Sequence, residues 1–367
     1  MGIIEALGAV VVSQGDETLI TSAGVPGSAS AKKPIDCRES GLSMRMFAPI
    51  AALLPGETIL VASGSLLTRP MDMLCALRQI GAGCKTNKGY APVTIAGPAE
   101  GGKIEIDAAV SSQFLTGLLM ALPLCPKDSV IEVTGLKSTP YVRMTLGLLD
   151  NFGLNVKYRD DLTEFAIEGA QSYRPTTYTI EGDWSGASFL LVAGAVAGRA
   201  TVTGLDPLSF QADRAILDVI EGAGARVNVE ENVVSVEKRK LEAFSFDATD
   251  CPDLFPPLVA LAAHCEGTSV IRGARRLMHK ESDRARALQE EFGKMGIVVE
   301  TTGDEMRVHG GVVRGATVDS HNDHRIAMAC GVAALAAQGE VLIEGSECVA
   351  KSYPGFFSDL DRLKEKR

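Results

Sequence analysis

Apolar residues along this chain alternate between two patterns. Ala/Leu-rich stretches predict helices, and each runs into a short alternating segment closed by glycine, which predicts a strand. This pairing recurs as Glu57–Gly64, Ser129–Gly135, Arg199–Gly204, Thr268–Gly273 and Glu340–Gly345, with closing glycines 71, 69, 69 and 72 residues apart. A second series runs out of phase with the first, in which a helical pattern ends at glycine and an alternating segment leads to a hairpin. Its glycines are Gly8, Gly81, Gly153, Gly224 and Gly296, spaced 73, 72, 71 and 72. The copies read LGAVVV, IGAGCK, FGLNVK, AGARVN and MGIVVE, where glycine stops the helix and alternation starts a strand. Gly15-Asp16, Asp160-Asp161 and Gly303-Asp304 follow at hairpin-turn positions.

One unit therefore reads helix, strand, helix, strand, turn, strand. Ten landmarks in two interleaved series predict a repeated α/β architecture. The repeats carry different polar loops, which favours a closed enzyme fold over a solenoid. The first repeat is incomplete, because Met1 opens inside its second helix. On the repeat's own arithmetic, a segment of about 45 to 50 residues is expected upstream.

The chain's 367 residues and 38.7 kDa suit two domains. With 46% hydrophobic and 22% charged residues and a mean hydropathy of +0.13, the composition is globular. No apolar run reaches the roughly 18 residues of a membrane span, and no signal peptide follows Met1, so a cytoplasmic protein is expected. Net charge −10 argues against a general grip on nucleic acid or anionic membrane. Any anionic ligand must then be met by a local cationic cluster. The eight cysteines contain no C-x-x-C and predict reduced thiols, mostly in the core. The histidines lack metal-ligand spacing, and no nucleotide-binding glycine motif occurs, so neither metal nor organic cofactor is expected.

Unusual polar residues gather in two kinds of loop. Before the Ala-rich helices stand Gly41-Leu42-Ser43-Met44-Arg45, Ser111-Ser112-Gln113, Asp183-Trp184-Ser185-Gly186-Ala187-Ser188, Pro252-Asp253 and Asp323-His324-Arg325. Free N–H groups and the helix dipole favour phosphate or carboxylate there, although each alone reads equally as a helix cap. After the strands stand Arg69-Pro70, Ser138-Thr139-Pro140-Tyr141, Ser209 to Asp213, Lys280-Glu281-Ser282-Asp283-Arg284 and Lys351-Ser352-Tyr353-Pro354. On a helix, Lys280 and Arg284 would share a face beside Glu281, giving two cations and a carboxylate at one anion.

In order along the chain, Ser111-Ser112-Gln113-Phe114, Ser138 with Pro140-Tyr141, Glu181-Gly182-Asp183 with Ala187-Ser188, Lys280 to Arg284, Asp323-His324-Arg325 with Ala327-Met328, and Lys351-Ser352 resemble the 5-enolpyruvylshikimate-3-phosphate synthase family (3-phosphoshikimate 1-carboxyvinyltransferases). The resemblance implies a two-domain inside-out α/β barrel of repeated β-α-β-α-β-β units. It implies lobes at residues 1–208, with the first unit truncated, and 209–367, a hinge near Pro207 to Asp213, and an active site in the cleft between domains. The implied reaction joins shikimate-3-phosphate and phosphoenolpyruvate, releases phosphate, and uses no cofactor or metal. It belongs to the shikimate pathway of aromatic amino-acid biosynthesis.

Carried over by motif, Asp253 is the expected proton acceptor and Glu281 the proton donor. Gly41, Arg69, Gln113, Arg284, Arg325 and Lys351 are expected at phosphoenolpyruvate, where guanidinium groups suit carboxylate and phosphate. Ser111, Ser112, Gln113, Ser138, Tyr141, Asp253, Arg276 and Lys280 are expected at shikimate-3-phosphate. The family is monomeric, with a dimer through the truncated first unit as the alternative. Three departures stand out. The family's N-terminal Lys-Ser and following Arg have no counterpart, its glycine loop reads Arg38-Glu39-Ser40-Gly41-Leu42 with Glu39 near the expected anion, and Arg276 stands where relatives often carry Asn. A non-catalytic relative that binds a phosphorylated ligand or partner is the competing reading, and RNA-end chemistry on a related unit is disfavoured by the net charge.

Overall fold

All ten landmark glycines lie at positive φ, from 52° at Gly64 to 102° at Gly8, in the computed structural model, which describes residues 2–15, 17–22, 34–109 and 111–365. One series ends helices in the left-handed conformation, and the other turns the chain out of a strand. The repeat visible in the sequence is thus a repeat of backbone turns.

Residues 103–167 show one complete unit. Strand Lys103–Asp107 leads to helix Gln113–Ala121, strand Ser129–Thr134, helix Thr139–Asn151 and the hairpin Val156–Tyr158 with Glu164–Ile167. Lys103–Asp107 runs parallel to Ser129–Thr134, with Ile104 opposite Ile131, and Glu164–Ile167 runs antiparallel along the other side. Two further sheets have the same order: Ile35–Asp36, Gly56–Val61, Tyr90–Gly97, Gly83–Asn87, and Ser245–Asp247, Thr268–Arg272, Glu305–His309, Val298–Thr302. Each of these three units therefore opens with a short parallel strand that the glycine pattern does not mark. The helix expected before Gly81 is a 3₁₀ helix, Asp72–Ile80.

The remaining sheets are smaller. Arg199–Thr203 pairs with Val233–Glu237, which pairs with Arg226–Glu230, while Arg314–Asp319 pairs in parallel with Gln338–Glu344. Val10–Gln14 and Glu17–Thr21 pair only with each other among the described residues, leaving Val10 59% and Leu19 63% exposed. Asp16 of the expected Gly15-Asp16 turn lies outside the described residues. The Asp160-Asp161 and Gly303-Asp304 turns fall between paired strands as expected.

The chain divides into two compact units, residues 1–177 and 178–367. That division falls before the expected 208/209 boundary because residues 182–211 are tied into the second unit. Arg199–Thr203 lies in its sheet. The Gln211 amide donates to the Gly182 carbonyl and accepts from the Trp184 N–H, both at 2.9 Å. Each unit has its own core.

Helices form the inside of each unit. Asp183 starts the helix Trp184–Ala197 by accepting the N–H groups of Ser185 and Gly186 at 2.9 and 3.1 Å. Small residues and a few large ones then let it bury nearly its whole circumference. It packs on Phe255–Ala262 and His324–Ala334, equally buried helices, and sheets lie outside all three. In the first unit, Gly41–Ala51 packs on Gln113–Ala121. Burying each large apolar side chain here contributes about 1.5–3 kcal/mol. Among the described residues, no helix is long and apolar enough to cross a membrane.

Gly117 marks the close approach in the first unit, since a Cβ there would lie 2.5 Å from the Met46 carbonyl oxygen. Gly117→Ala is expected to destabilise by about 1–3 kcal/mol, because the obstacle is backbone in a packed core. Gly293, in helix Arg284–Lys294, has nothing near its missing Cβ. Gly293→Ala is expected to stabilise by about 0.5–1 kcal/mol. Urea midpoints of the two variants against the parent chain check both signs.

Candidate functional site

In the second unit, Arg284 is completely buried and spans three carboxylates. Its Nε donates to Asp323 Oδ2 at 3.0 Å, Nη1 to Asp253 Oδ1 at 2.8 Å, and Nη2 to Glu281 Oε2 at 2.6 Å. The three acids come from separate loops. Asp253 lies in the turn before Phe255–Ala262, Asp323 caps His324–Ala334 by accepting the Arg325 N–H at 3.0 Å, and Glu281 precedes Arg284 itself. Lys280 Nζ reaches Asp253 Oδ1 at 3.3 Å, and Arg325 Nη2 reaches Asp253 Oδ2 at 3.3 Å. Arg325 Nη1 also donates to Ser185 Oγ at 2.6 Å.

Lys280 and Arg284 do not share a helical face, contrary to the expected spacing. The helix begins at Arg284, where the carboxylate of Asp283 caps it through the Arg286 N–H, and Lys280 to Asp283 form a loop. Both cations nevertheless converge on Asp253. Arg276 donates to the Thr249 carbonyl, and Lys351 to the Asn322 carbonyl at 2.9 Å, beside Asp323.

The charges set each other's protonation. Burial alone would raise Asp253, but Arg325, Lys280 and Arg284 hold it well below the ordinary carboxylate range. Burial opposes ionisation of Asp323 too, yet Arg284 draws it down to about 2. Burial lowers Lys280, with Asp253 opposing that shift, and burial with Arg325 nearby lowers His324 to about 4, leaving a neutral imidazole. Three cations and three carboxylates thus form one network of interlocked ionic hydrogen bonds.

The first unit holds a second group. Ser40 caps helix Gly41–Ala51 by accepting the Ser43 N–H, and a Cβ on Gly41 would stand 3.2 Å from Arg69 Nη1 and 3.4 Å from Arg45 Nη1. Arg45 Nη1 donates to Gln113 Oε1 at 3.3 Å and Nη2 to the Pro70 carbonyl at 3.4 Å. Gly41, Arg69 and Gln113 are therefore gathered around Arg45. Ser111 Oγ accepts the Gln113 N–H at 3.2 Å, and Ser112 occupies the cap position of the same helix. Ser138, buried at φ 56°, precedes helix Thr139–Asn151, whose first turn carries Tyr141. Glu39, expected beside an anion, accepts the Ser65 N–H at 3.1 Å, so its carboxylate caps the 3₁₀ helix Gly64–Thr68.

Sequence reading did not single out Arg45, Asp323 or Ser185 as site residues. Arg45 stands four residues after Gly41, one helical turn on, and Asp323 adjoins Arg325; both signals were visible but read as cap and helix positions. One group has metal-ligand spacing among the described residues, Glu290, Glu291 and His321. Lys294 Nζ already donates to both Glu291 oxygens, at 2.9 and 2.7 Å, and the Asp319 N–H to one of them at 2.8 Å, so internal donors fill that carboxylate.

Asp323→Asn removes the buried partner that holds Arg284 from below, and is expected to cost about 3–5 kcal/mol. Asp323 sits below its ordinary value, so its contribution is complete above about pH 4 and is lost as pH falls through about 2. Stability curves of the parent should steepen across that window, and those of the variant should flatten there. Equal acid slopes would remove Asp323 from the network's account.

The family model described as EPSP synthase (3-phosphoshikimate 1-carboxyvinyltransferase) matches residues 1–360. The 3-phosphoshikimate 1-carboxyvinyltransferase of Methanocella arvoryzae is 42% identical over 98% of this chain and 86% of its own length. That of Thermococcus kodakarensis is 42% identical over 89% of this chain and 80% of its own length. An EPSP synthase structure from Acinetobacter baumannii superposes with a TM-score of 0.81 at 25% identity, covering 98% of this chain and 85% of that one. The fold is accordingly the two-domain inside-out α/β barrel of enolpyruvyl transferases. With its family match running nearly end to end, the chain belongs to the EPSP synthase (3-phosphoshikimate 1-carboxyvinyltransferase) family.

Proposed function

We propose that this chain transfers the enolpyruvyl group of phosphoenolpyruvate to the 5-hydroxyl of shikimate-3-phosphate and releases phosphate, the shikimate-pathway step toward aromatic amino acids. The observation that carries the reading is one connected ionic cluster, in which Asp253 and Glu281 accept from the buried Arg284 while Lys280 and Arg325 pair with Asp253.

The chemistry needs an acid and a base beside an anion site. The hydroxyl passes its proton to the Asp253 carboxylate as its oxygen attacks C2 of phosphoenolpyruvate, and Glu281 delivers a proton to C3. The tetrahedral intermediate then returns a proton from C3 to the Glu281 carboxylate and expels phosphate. Arg69, Arg284, Arg325, Lys351, Gly41 and Gln113 are the proposed phosphoenolpyruvate contacts. Ser111, Ser112, Gln113, Ser138, Tyr141, Arg276 and Lys280, with Asp253, are the proposed shikimate-3-phosphate contacts.

The resting network makes Asp253 a weak base, because three cations stabilise its carboxylate. Arriving phosphate and carboxylate groups compete for those cations, and each pairing lost by Asp253 raises its proton affinity. Substrate binding therefore switches the base on.

The test is phosphate release from the purified chain, which must require both substrates; binding of either without turnover would favour the non-catalytic reading. Glu281→Gln is expected to lower kcat by about 10²–10⁴-fold, the scale of one general acid, with a smaller change in KM. The acid limb of kcat, which reports the complex, is expected at higher pH than that of kcat/KM, which reports the free enzyme. The sign follows from Asp253 being depressed before ligand binding and relieved after it. Coincident limbs would separate Asp253 from substrate-controlled basicity.

A further inference from the structure

In the first unit, Gly81 at φ 92° ends the 3₁₀ helix Asp72–Ile80 and returns the chain along it as strand Gly83–Asn87. Two side-chain ties fix the strand against the helix. Arg78 Nε donates to the Cys84 carbonyl at 2.9 Å, and Thr86 Oγ1 donates to Asp72 Oδ1 at 3.1 Å. Between them stand Cys75 and Cys84, both free thiols, with sulfur atoms 3.1 Å apart. Cys75 is partly exposed, and Cys84 is 3% exposed. A disulfide needs about 2.05 Å between sulfurs, so closure asks for about 1 Å of approach, within the reach of side-chain rotation.

We propose that Cys75 and Cys84 form a reversible dithiol–disulfide site, oxidised by a low-molecular-weight disulfide. Exposure gives the order of events. The Cys75 thiolate attacks one sulfur of the incoming disulfide, forming a mixed disulfide and expelling one thiolate. Cys84 then attacks the Cys75 sulfur, and its proton passes to the second small thiolate as that leaves. Two protein thiols give up two electrons and two protons, and one small disulfide becomes two thiols. Burial and the neighbouring Cys75 sulfur raise the Cys84 thiol, so the more exposed Cys75 meets the incoming disulfide first and Cys84 follows through proximity alone. The product staples the helix that follows the Arg69-Pro70 loop to the strand beyond it. The six other cysteines are all buried.

The experiment incubates the purified chain with graded ratios of oxidised to reduced glutathione, quenches with acid and reads intact mass and non-reduced peptide maps. The expected product is lighter by about 2 Da, two hydrogens, with one cross-linked peptide joining Cys75 to Cys84, and dithiothreitol restores the starting mass. Oxidised protein is expected to melt several degrees above reduced protein, because the bridge restricts the unfolded chain. Cys75→Ser should keep the reduced melting temperature and lose both the mass change and the thermal shift. Should Cys84→Ser fail to fold, alkylation of Cys75 in the parent chain supplies the second block and should likewise abolish closure. A persistent glutathione adduct on Cys75 that never closes, a cross-link between other cysteines, or no oxidation at any ratio would overturn the proposal.

Discussion

A guanidinium removed from water must find its charge compensation inside the protein. Arg284 meets that constraint with Asp253, Glu281 and Asp323, and the demand reaches well beyond one side chain. The acids come from the loop before one buried helix, the cap of another and the approach to a third. Those helix ends must stay in register for the charge to stay paired, so the apolar packing of the central helices and the ionic network above them stabilise the same arrangement. An uncompensated buried charge would cost several kcal/mol, comparable to a large part of a domain's net stability.

Much of the architecture was legible because it rests on backbone turns that only glycine adopts cheaply. Gly8, Gly81, Gly153, Gly224 and Gly296 end helices left-handed, and Gly64, Gly135, Gly204, Gly273 and Gly345 close strands. Periodicity therefore reported geometry directly. Two opening strands escaped because Ile35–Asp36 and Ser245–Asp247 are too short to show alternation, and Lys103–Asp107, which does alternate, escaped because no closing glycine marks it. The division into compact units after residue 177 left no mark in the sequence for a different reason. The family resemblance implied a hinge near Pro207, whereas Gln211 and the pairing of Arg199–Thr203 bind that loop to the second unit, and pairing partners lie far away in sequence.

The site was legible as residue types rather than as contacts. Motif order pointed to Asp253, Lys280, Glu281, Arg284 and Arg325, which the structure joins through direct ionic contacts. It did not show that Asp323 would be the innermost partner, since an N-cap acid looks the same whether or not it also holds an arginine. Arg45 stood in the polar stretch that opens its helix, but nothing in the sequence showed that it would hold Gln113 and the Pro70 carbonyl. Glu39 looked like a misplaced charge beside an anion site, but Gly64 leaves room for its carboxylate to cap a neighbouring turn.

The matched charges of the second unit also bear on how ionic strength acts on the protein. Where bare lysines and arginines wait for an anion, dissolved salt competes for them and weakens binding steeply. Here Arg284 is already neutralised from within, and Asp253 also meets Lys280 and Arg325. If phosphate or carboxylate binds here as proposed, it must exchange with fixed carboxylates rather than with mobile counter-ions. For the part of the affinity that these three cations would supply, the yielding of those carboxylates would matter more than the salt in which the protein works.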